Sequence, residues 1–222
     1  MRILLVAATF SEVAPLCREL NIPEVVEGNL APFSLGNLEG NLLVTGAGMV
    51  PTAFYLGKEL GNNYEAALNL GIAGSFFYDF GPGTVVHSTR ETFSELGAED
   101  DEHFIPFPEL GIPGVFFVEN NLPLKNPEID KLPVVSGITV NTVHGNENSI
   151  ARVFDTHFPF IETMEAGAFL FACQKFKIPS AIIRSVSNRV EKRNRDAWDI
   201  PLAVNNLAKT GIKIFNSWEG SS

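Results

Sequence analysis

One carboxylate, Glu165, interrupts an otherwise apolar stretch in the second half of the chain. The spacing of the apolar residues predicts a helix over residues 162–175, with Glu165 on its buried face. Burying a carboxylate without a partner is costly, so the pattern indicates that a polar ligand or side chain meets it. The alternative is structural, because Thr163 would then cap the helix and the acid would favour its positive end. This segment alone leaves both interpretations open.

A second acid, Glu12, lies one turn beyond the first predicted strand. A carboxylate in this place can act as a general base that activates water. The sequence Thr9-x-x-Glu12 also matches a capping box, in which the same carboxylate only satisfies the start of a helix. Both roles stay open.

Backbone and amide groups follow other predicted strands. The turn Gly46-x-Gly48 opens a helix, where amide groups can bind an anion or a sugar hydroxyl. Ala73 and Gly74 end a glycine-rich segment whose backbone can approach a ligand closely. Asn188, which follows Ser187 after a buried strand, has an acceptor and two donors and can contact the edge of a base. Each of these segments also matches an ordinary turn or loop.

The elements that would position these residues alternate along the chain. Predicted strands cover residues 3–8, 41–45, 66–70, 84–88, 134–140 and 180–185, and predicted helices cover residues 11–20, 52–59, 162–175 and 200–215. The strands are apolar throughout, which is typical of a largely parallel sheet covered on both faces. We therefore expect a single α/β domain over residues 1–222, a three-layer α/β/α fold with a central, mostly parallel, mixed twisted sheet.

Ligands of such sheets bind beyond the carboxyl ends of the strands. Glu12, the Gly46–Gly48 turn, Gly74, Asn141 and Asn188 each follow a predicted strand, so the sequence predicts that they meet at one edge of the sheet. Residues 94–130, which are rich in Pro, Gly and acids, are expected to form a long excursion over the core.

Composition narrows the class of protein. The 222 residues are 45% hydrophobic and carry a net charge of −10, from 16 Lys and Arg against 26 Asp and Glu. This charge opposes binding to nucleic acid and to anionic membranes, and no apolar stretch is long enough to cross a bilayer. Cys17 and Cys173 lie in apolar helical patterns, which suits a reducing compartment, so the cytoplasm is the expected location. No His or Cys has metal-ligand spacing, so no metal is expected, and His144 is interpreted as a loop residue.

The motifs occur in an order that resembles the purine nucleoside phosphorylase and nucleosidase superfamily. The segments that carry the resemblance are Ser11-Glu12-Val13, Thr45-Gly46-Ala47-Gly48, Asn69-Leu70-Gly71-Ile72-Ala73-Gly74, Gly83-Thr84-Val85-Val86, Ser136-Gly137, Thr163-Met164-Glu165-Ala166 and Ile183-Arg184-Ser185-Val186-Ser187-Asn188. The likeness spans nearly the whole chain. It is strongest to the futalosine hydrolases, relatives of the methylthioadenosine/S-adenosylhomocysteine nucleosidases.

This resemblance implies an N-ribosyl hydrolase that cleaves futalosine to hypoxanthine and dehypoxanthine futalosine in menaquinone biosynthesis, without a metal or organic cofactor. Glu12 would position or deprotonate the attacking water. Met164 would pack on the ribose, and Glu165 would bind its hydroxyl groups. The remaining substrate-binding residues would be Ala73, Gly74, Val140, Asn141 and Ser187.

The most informative departure from the family is Asn188, which stands where many members have Asp. An Asp can protonate N7 of the leaving purine, whereas an Asn cannot act as an acid. An Asn can donate to O6 of a 6-oxopurine while its carbonyl accepts from a protonated N7, which suits hypoxanthine. A flipped amide would instead suit adenine, and the sequence does not determine its orientation.

Other departures bear on the reaction and on the substrate. Ile72 replaces a Ser, and no Arg stands near Glu12 or directly before Gly71, which favours hydrolysis over phosphorolysis because phosphate needs charge-assisted donors. Val140 replaces an aromatic residue that stacks on the base. Futalosine carries a benzoate, and the cations that could meet it are Arg152, Arg184 and Arg189.

Family members are oligomers, so we expect a homodimer in which residues 94–130 border the neighbouring site. Three alternatives remain at this stage. The chain could be a methylthioadenosine/S-adenosylhomocysteine nucleosidase, a purine nucleoside phosphorylase, or a nucleoside-binding or storage protein without activity, since a fold does not fix a function.

Overall fold

A computed structural model describes residues 1–219, so the last three residues of the predicted domain lie outside the described part. The strands are β1 (Arg2–Ala7), β2 (Leu30–Leu35), β3 (Leu38–Val44), β4 (Ala66–Ser75), β5 (Val85–Thr92), β6 (Gly97–Asp100), β7 (His103–Pro106), β8 (Phe117–Glu119), β9 (Val134–Thr139), β10 (Ile161–Thr163) and β11 (Ser180–Arg189). The α-helices are α1 (Phe10–Glu19), α2 (Met49–Glu59), α3 (Glu147–His157), α4 (Ala166–Phe176) and α5 (Ile200–Glu219). No helix within these residues combines the length and the hydropathy that a membrane span requires.

The central sheet has the strand order β10-β9-β5-β11-β4-β1-β3-β2, and β8 pairs with β5 beside this path. The pairs β1–β3, β1–β4, β4–β11, β5–β9 and β9–β10 are parallel. The pairs β2–β3, β4–β10, β5–β8 and β5–β11 are antiparallel. Because β10 pairs with β4 as well as β9, this end of the sheet folds back onto its middle.

Two apolar cores lie on opposite faces of the sheet, since neighbouring residues of β1 point alternately into one or the other. Leu16 of α1 and Ile214 of α5 belong to the first core. Leu56 of α2 and Phe169 of α4 belong to the second. The predicted three-layer α/β/α fold with a mostly parallel mixed sheet is therefore confirmed.

The predicted helix over residues 162–175 is wrong at its start. Residues Ile161–Thr163 form β10, paired with β9 and β4, and the helix α4 begins only at Ala166. Glu165 is the residue that precedes the first helical position, so Thr163 does not cap the helix. Pairing with strands distant in sequence decides this segment, and local spacing of apolar residues does not report such pairing.

Strands β4 and β11 are longer than predicted. They continue side by side as far as the pair Ser75 and Arg189, with a register shift between Val186 and Asn188. Ala73, Gly74, Ser187 and Asn188 therefore lie on strands and not in loops. Pairing between β4 and β11 satisfies the backbone hydrogen-bonding groups of these residues, which in a loop would bind water instead.

Several elements have no counterpart in the prediction. β2 lies at the sheet edge, and α3 begins after Asn146, whose side chain accepts hydrogen bonds from the main-chain N–H groups of Asn148 and Ser149. Residues 94–130 contain the hairpin β6–β7, a short 3₁₀ helix over Phe107–Leu110 and strand β8. These elements are short and rich in Pro, Gly and acids, so they show no hydrophobic periodicity from which they could be predicted.

Candidate active site

A cavity of about 410 Å³ lies at the carboxyl ends of β1, β4 and β11, where the fold class places ligands. Its volume is in the usual range for small-molecule sites. Seven of the nine residues proposed from the sequence line it, namely Glu12, Ala73, Gly74, Met164, Glu165, Ser187 and Asn188. The strand ends therefore bring together side chains that are up to 176 positions apart in the sequence, the separation of Glu12 and Asn188.

Glu12 has a structural role and a place in the cavity at once. Its Oε2 accepts hydrogen bonds from the main-chain N–H of Thr9 at 2.9 Å and from the Thr9 hydroxyl at 3.0 Å. Its Oε1 accepts from the main-chain N–H of Ile72 on β4 at 3.1 Å. The capping box is present, but the second oxygen reaches across to β4 and holds the carboxylate at the cavity wall.

Glu165 accepts a hydrogen bond at Oε1 from the main-chain N–H of Gly48, at 2.8 Å. Gly48 precedes α2 with a φ of 99°, a conformation that suits glycine. Burial raises the pKa of the Glu165 carboxyl above its usual value, while the Gly48 hydrogen bond and the nearby Arg184 charge oppose that rise. The Gly46–Gly48 turn thus supplies a donor to an acid 117 residues away in sequence.

Arg184 lies beneath the cavity and is only 1% exposed. Its guanidinium donates to the main-chain oxygen of Asn69 at 3.3 Å and to that residue's side-chain oxygen. Burial lowers the pKa of Arg184, and the nearby charges of Glu165, Glu12 and Glu91 raise it again. This cation offsets the charge of the acids around it, and it is not among the residues that line the cavity.

The other two cations considered for a substrate carboxylate lie in different places. Arg189 lines the cavity and stacks over the ring of Tyr78. Arg152 lines a neighbouring surface pocket and not this cavity. Arg193, which the sequence argument did not single out, lines the cavity with Trp198, and its guanidinium lies 5.6 Å from the centre of that ring.

The side-chain amide of Asn188 has an orientation fixed by its neighbours. Its nitrogen donates to the main-chain oxygen of Arg189 at 2.8 Å, and its oxygen accepts from the Ser187 hydroxyl at 2.7 Å. A main-chain oxygen can only accept, so the flipped amide would set two acceptors against each other. One N–H and one acceptor position of Asn188 remain for a ligand.

Val140 and Asn141 are not brought into the cavity. Val140 is completely buried in a small cluster with Ile138 and Val153. The main-chain N–H of Asn141 donates to Glu95 at 2.7 Å and is therefore already engaged. The wall is built instead from residues slightly further along the same loop, Val143 and His144.

His144 lies in a loop, as interpreted from the sequence, but its side chain has a carboxylate partner in the cavity wall. The Nδ1 atom of its ring is hydrogen-bonded to a carboxylate oxygen of Glu162 on β10. The two residues are 18 positions apart, and only the pairing of β10 with β9 brings them together. The sequence carried one usable signal, because His144 follows the carboxyl end of a strand. Within residues 1–219, no group of three or more His, Cys, Asp or Glu is arranged to hold a metal ion.

Comparison with known proteins identifies the family and the fold. The phosphorylase superfamily pattern matches residues 2–216. A futalosine hydrolase of Acidothermus cellulolyticus is 30% identical over 192 residues, which cover 80% of this chain and 76% of that protein. A 5'-methylthioadenosine/S-adenosylhomocysteine nucleosidase of Psychromonas ingrahamii is 26% identical over 98% of this chain and 99% of its own. The solved futalosine hydrolase of Helicobacter pylori has the same fold, with a TM-score of 0.80 over 97% of each chain at 16% identity.

The buried acid Glu91 on β5 gives a test of the electrostatics below the cavity. The Ser88 hydroxyl donates to one oxygen at 2.6 Å and the Thr139 hydroxyl to the other at 2.8 Å. Burial raises the pKa of this carboxyl above 4.5, against both hydrogen bonds and Arg184. Above that pH the unfolded chain has lost a proton that the folded chain keeps, so this group's contribution to the free energy of unfolding falls as pH rises.

We therefore expect Glu91→Gln, which is neutral at every pH, to gain stability relative to the unsubstituted protein between pH 4.5 and 7. The gain is up to about 1.4 kcal/mol per pH unit until the pKa in the folded protein is passed. Urea unfolding at several pH values measures it. Glu102→Gln, which changes an exposed acid, should show a constant difference. A difference for Glu91→Gln that does not change with pH would contradict the assignment.

Proposed function

We propose, since this chain belongs to the phosphorylase superfamily, that it is a nucleosidase that hydrolyses the N-glycosidic bond of futalosine and releases hypoxanthine. The observation that carries the proposal is the fixed amide of Asn188 in a cavity that also contains Glu12 and Glu165. Two carboxylates suit water activation and ribose binding, while the amide suits the base. Relatives named as futalosine hydrolases and as nucleosidases support the enzyme class.

In the proposed reaction, water attacks the anomeric carbon as the bond to the purine breaks. Glu12 takes the proton of that water, since its carboxylate is held at the cavity wall by Thr9 and Ile72. Glu165 binds the ribose hydroxyl groups through the oxygen that Gly48 leaves free, and Met164 packs on the sugar. A negatively charged wall favours the oxocarbenium-like transition state over the neutral substrate.

Specificity for a 6-oxopurine rests on the orientation of Asn188. With its nitrogen directed to the Arg189 main-chain oxygen, the remaining N–H can donate to O6 of hypoxanthine and the remaining acceptor position can take the hydrogen of N7. The orientation that would suit adenine loses the bond to Arg189. Leaving one buried polar group unpaired costs about 1–3 kcal/mol, which is enough to bias the choice of base.

The proposal includes a cytoplasmic homodimer in menaquinone biosynthesis. Cys17 and Cys173 are free and buried, and burial raises the pKa of both to about 12, so neither thiol is reactive.

Val50 and Phe54 on α2 are 77% and 65% exposed. Apolar side chains in such a position suit contact with a second copy of the chain. The benzoate of futalosine would meet Arg189 or Arg193.

A second candidate function is methylthioadenosine/S-adenosylhomocysteine hydrolysis, favoured by the Psychromonas ingrahamii relative because that likeness spans nearly the whole of both chains. The two functions share the ribose site and differ in the base that leaves. Measuring which substrate is hydrolysed distinguishes the two functions.

Release of free base from futalosine, inosine and methylthioadenosine tests the proposal directly. We expect kcat/KM for futalosine to exceed that for methylthioadenosine by about 10-fold or more, the size expected for one mismatched hydrogen bond. Chromatography of the released purine, with and without phosphate, provides the measurement. Dominant release of adenine would select the second candidate, strict dependence on phosphate would indicate a phosphorylase, and tight binding without turnover would indicate a binding protein.

The role of Glu12 is tested by Glu12→Gln. Glutamine can still accept from the Thr9 N–H as part of a capping box, so the fold should persist. Because it cannot take a proton, we expect kcat for the preferred substrate to fall by about 100- to 10,000-fold with little change in substrate affinity. Glu19→Gln, an exposed acid at the end of the same helix, is the matched control and should keep full activity. Survival of activity in Glu12→Gln would reduce this residue to its capping role.

A further inference from the structure

A histidine and a buried carboxylate form a fixed pair in the wall of the cavity. The ring Nδ1 of His144 is hydrogen-bonded to Glu162, and the main-chain N–H of His144 donates to the other carboxylate oxygen at 3.0 Å. The Glu162 side chain is 4% exposed and the His144 side chain 12%. Because both oxygens of Glu162 are engaged by the same residue, the position and the tilt of the imidazole ring are set together.

One strand, β4, separates the pair from Asn188. Glu162 on β10 is opposite Gly74 on β4, and Asn188 on β11 is opposite the same Gly74 from the other side. Adjacent strands are about 4.8 Å apart, so the Glu162 and Asn188 backbones are separated by roughly 10 Å. Gly74 has no side chain, and a Cβ atom there would lie 3.3 Å from Asn188 Nδ2. All four residues line the same cavity.

The chemistry of the pair is that of a proton donor. Nδ1 is engaged by Glu162, whereas Nε2 has no hydrogen-bond partner among residues 1–219. A carboxylate on Nδ1 orients the ring and leaves Nε2 as the atom that can serve a ligand, as in hydrolases in which an acid stands behind a catalytic histidine. Asn188, which contacts the base in the proposed function, has no proton to give, so the leaving group needs a donor from elsewhere in the cavity wall.

We propose that His144, oriented by Glu162, is the general acid that protonates the departing purine, an inference that rests on the nucleosidase function proposed above. As the C1′–N9 bond breaks, its electron pair moves to the purine, and the imidazolium Nε2–H transfers its proton to N7, where the Asn188 oxygen then accepts the new N7–H. Water forms the new C1′–O bond and gives a proton to Glu12. Exchange with solvent then returns a proton to His144 and removes one from Glu12, so the net reaction consumes one water molecule.

A purely structural role is the competing explanation, because Glu162 also fastens the loop that contains His144. The two roles differ in their dependence on the leaving group. An acid matters for hypoxanthine, which departs poorly as an anion, and matters little for 4-nitrophenolate, which departs without a proton. A loop anchor would affect both substrates alike, since both need the same ribose site.

The experiment compares His144→Gln with the unsubstituted protein on futalosine and on 4-nitrophenyl riboside. We expect kcat on futalosine to fall by about 100-fold or more with KM changed less than about threefold, and turnover of the nitrophenyl substrate to stay within about threefold. Glu162→Gln, which alters the positioning residue, should show the same split between substrates with a smaller loss. His157→Gln changes a histidine of the neighbouring surface pocket and serves as the matched control.

Two outcomes would overturn the inference, namely futalosine turnover within about threefold of the unsubstituted protein or equal losses on both substrates. Its failure is distinguishable from failure of the proposed function. If the unsubstituted protein releases no base from any nucleoside of the panel, the nucleosidase proposal fails. If the unsubstituted protein is active and His144→Gln gives either of the two contradicting outcomes, only the proposed role of His144 fails.

Discussion

The buried charge of Arg184 is the constraint around which the site is arranged. Glu12, Glu91 and Glu165 all act on this guanidinium, which is itself removed from solvent. Taking charges out of water is expensive, and their mutual attraction offsets the cost only when partners are close and well oriented. The guanidinium of Arg184 therefore offsets part of the cost of burying Glu91 and Glu165, to which hydroxyl and main-chain groups also donate hydrogen bonds.

This arrangement requires a glycine on β4 at the position that pairs with Arg184. A Cβ atom on Gly71 would lie 3.0 Å from Glu12 Oε1 and 3.4 Å from Arg184 Cζ. The glycine lets Glu12, from the first helix, approach the guanidinium carried by β11. Further along β4, a Cβ atom on Gly74 would lie 2.9 Å from Val190 Cγ2 and 3.3 Å from Asn188 Nδ2, so this glycine lets those two side chains lie close to the strand. The glycines of this segment thus allow neighbouring side chains to pack against the strand, in addition to giving a ligand access to it.

The sequence predicted well whatever depends on strand ends. Apolar strands alternating with helices predicted the layers and the edge where Glu12, Glu165 and Asn188 meet, because chain order and burial determine that edge. It failed where pairing between distant strands decides the outcome. The start of α4, the extension of β11 and the His144–Glu162 pair all depend on partners far away in sequence. Val140 was misplaced because a position in a motif does not tell which way a short loop turns after its strand.

The hydrogen bond from Asn188 to the main chain of Arg189 has a consequence for how this site can change. The group that fixes the amide belongs to the polypeptide backbone, so no replacement of the side chain at position 189 removes it. The orientation of the amide therefore depends on the backbone of β11, and most point mutations nearby leave it unchanged. Under the proposed function, a change in the preferred base would require replacing Asn188 or altering the path of β11, whereas changes of the neighbouring side chains would leave the orientation of the amide as it is.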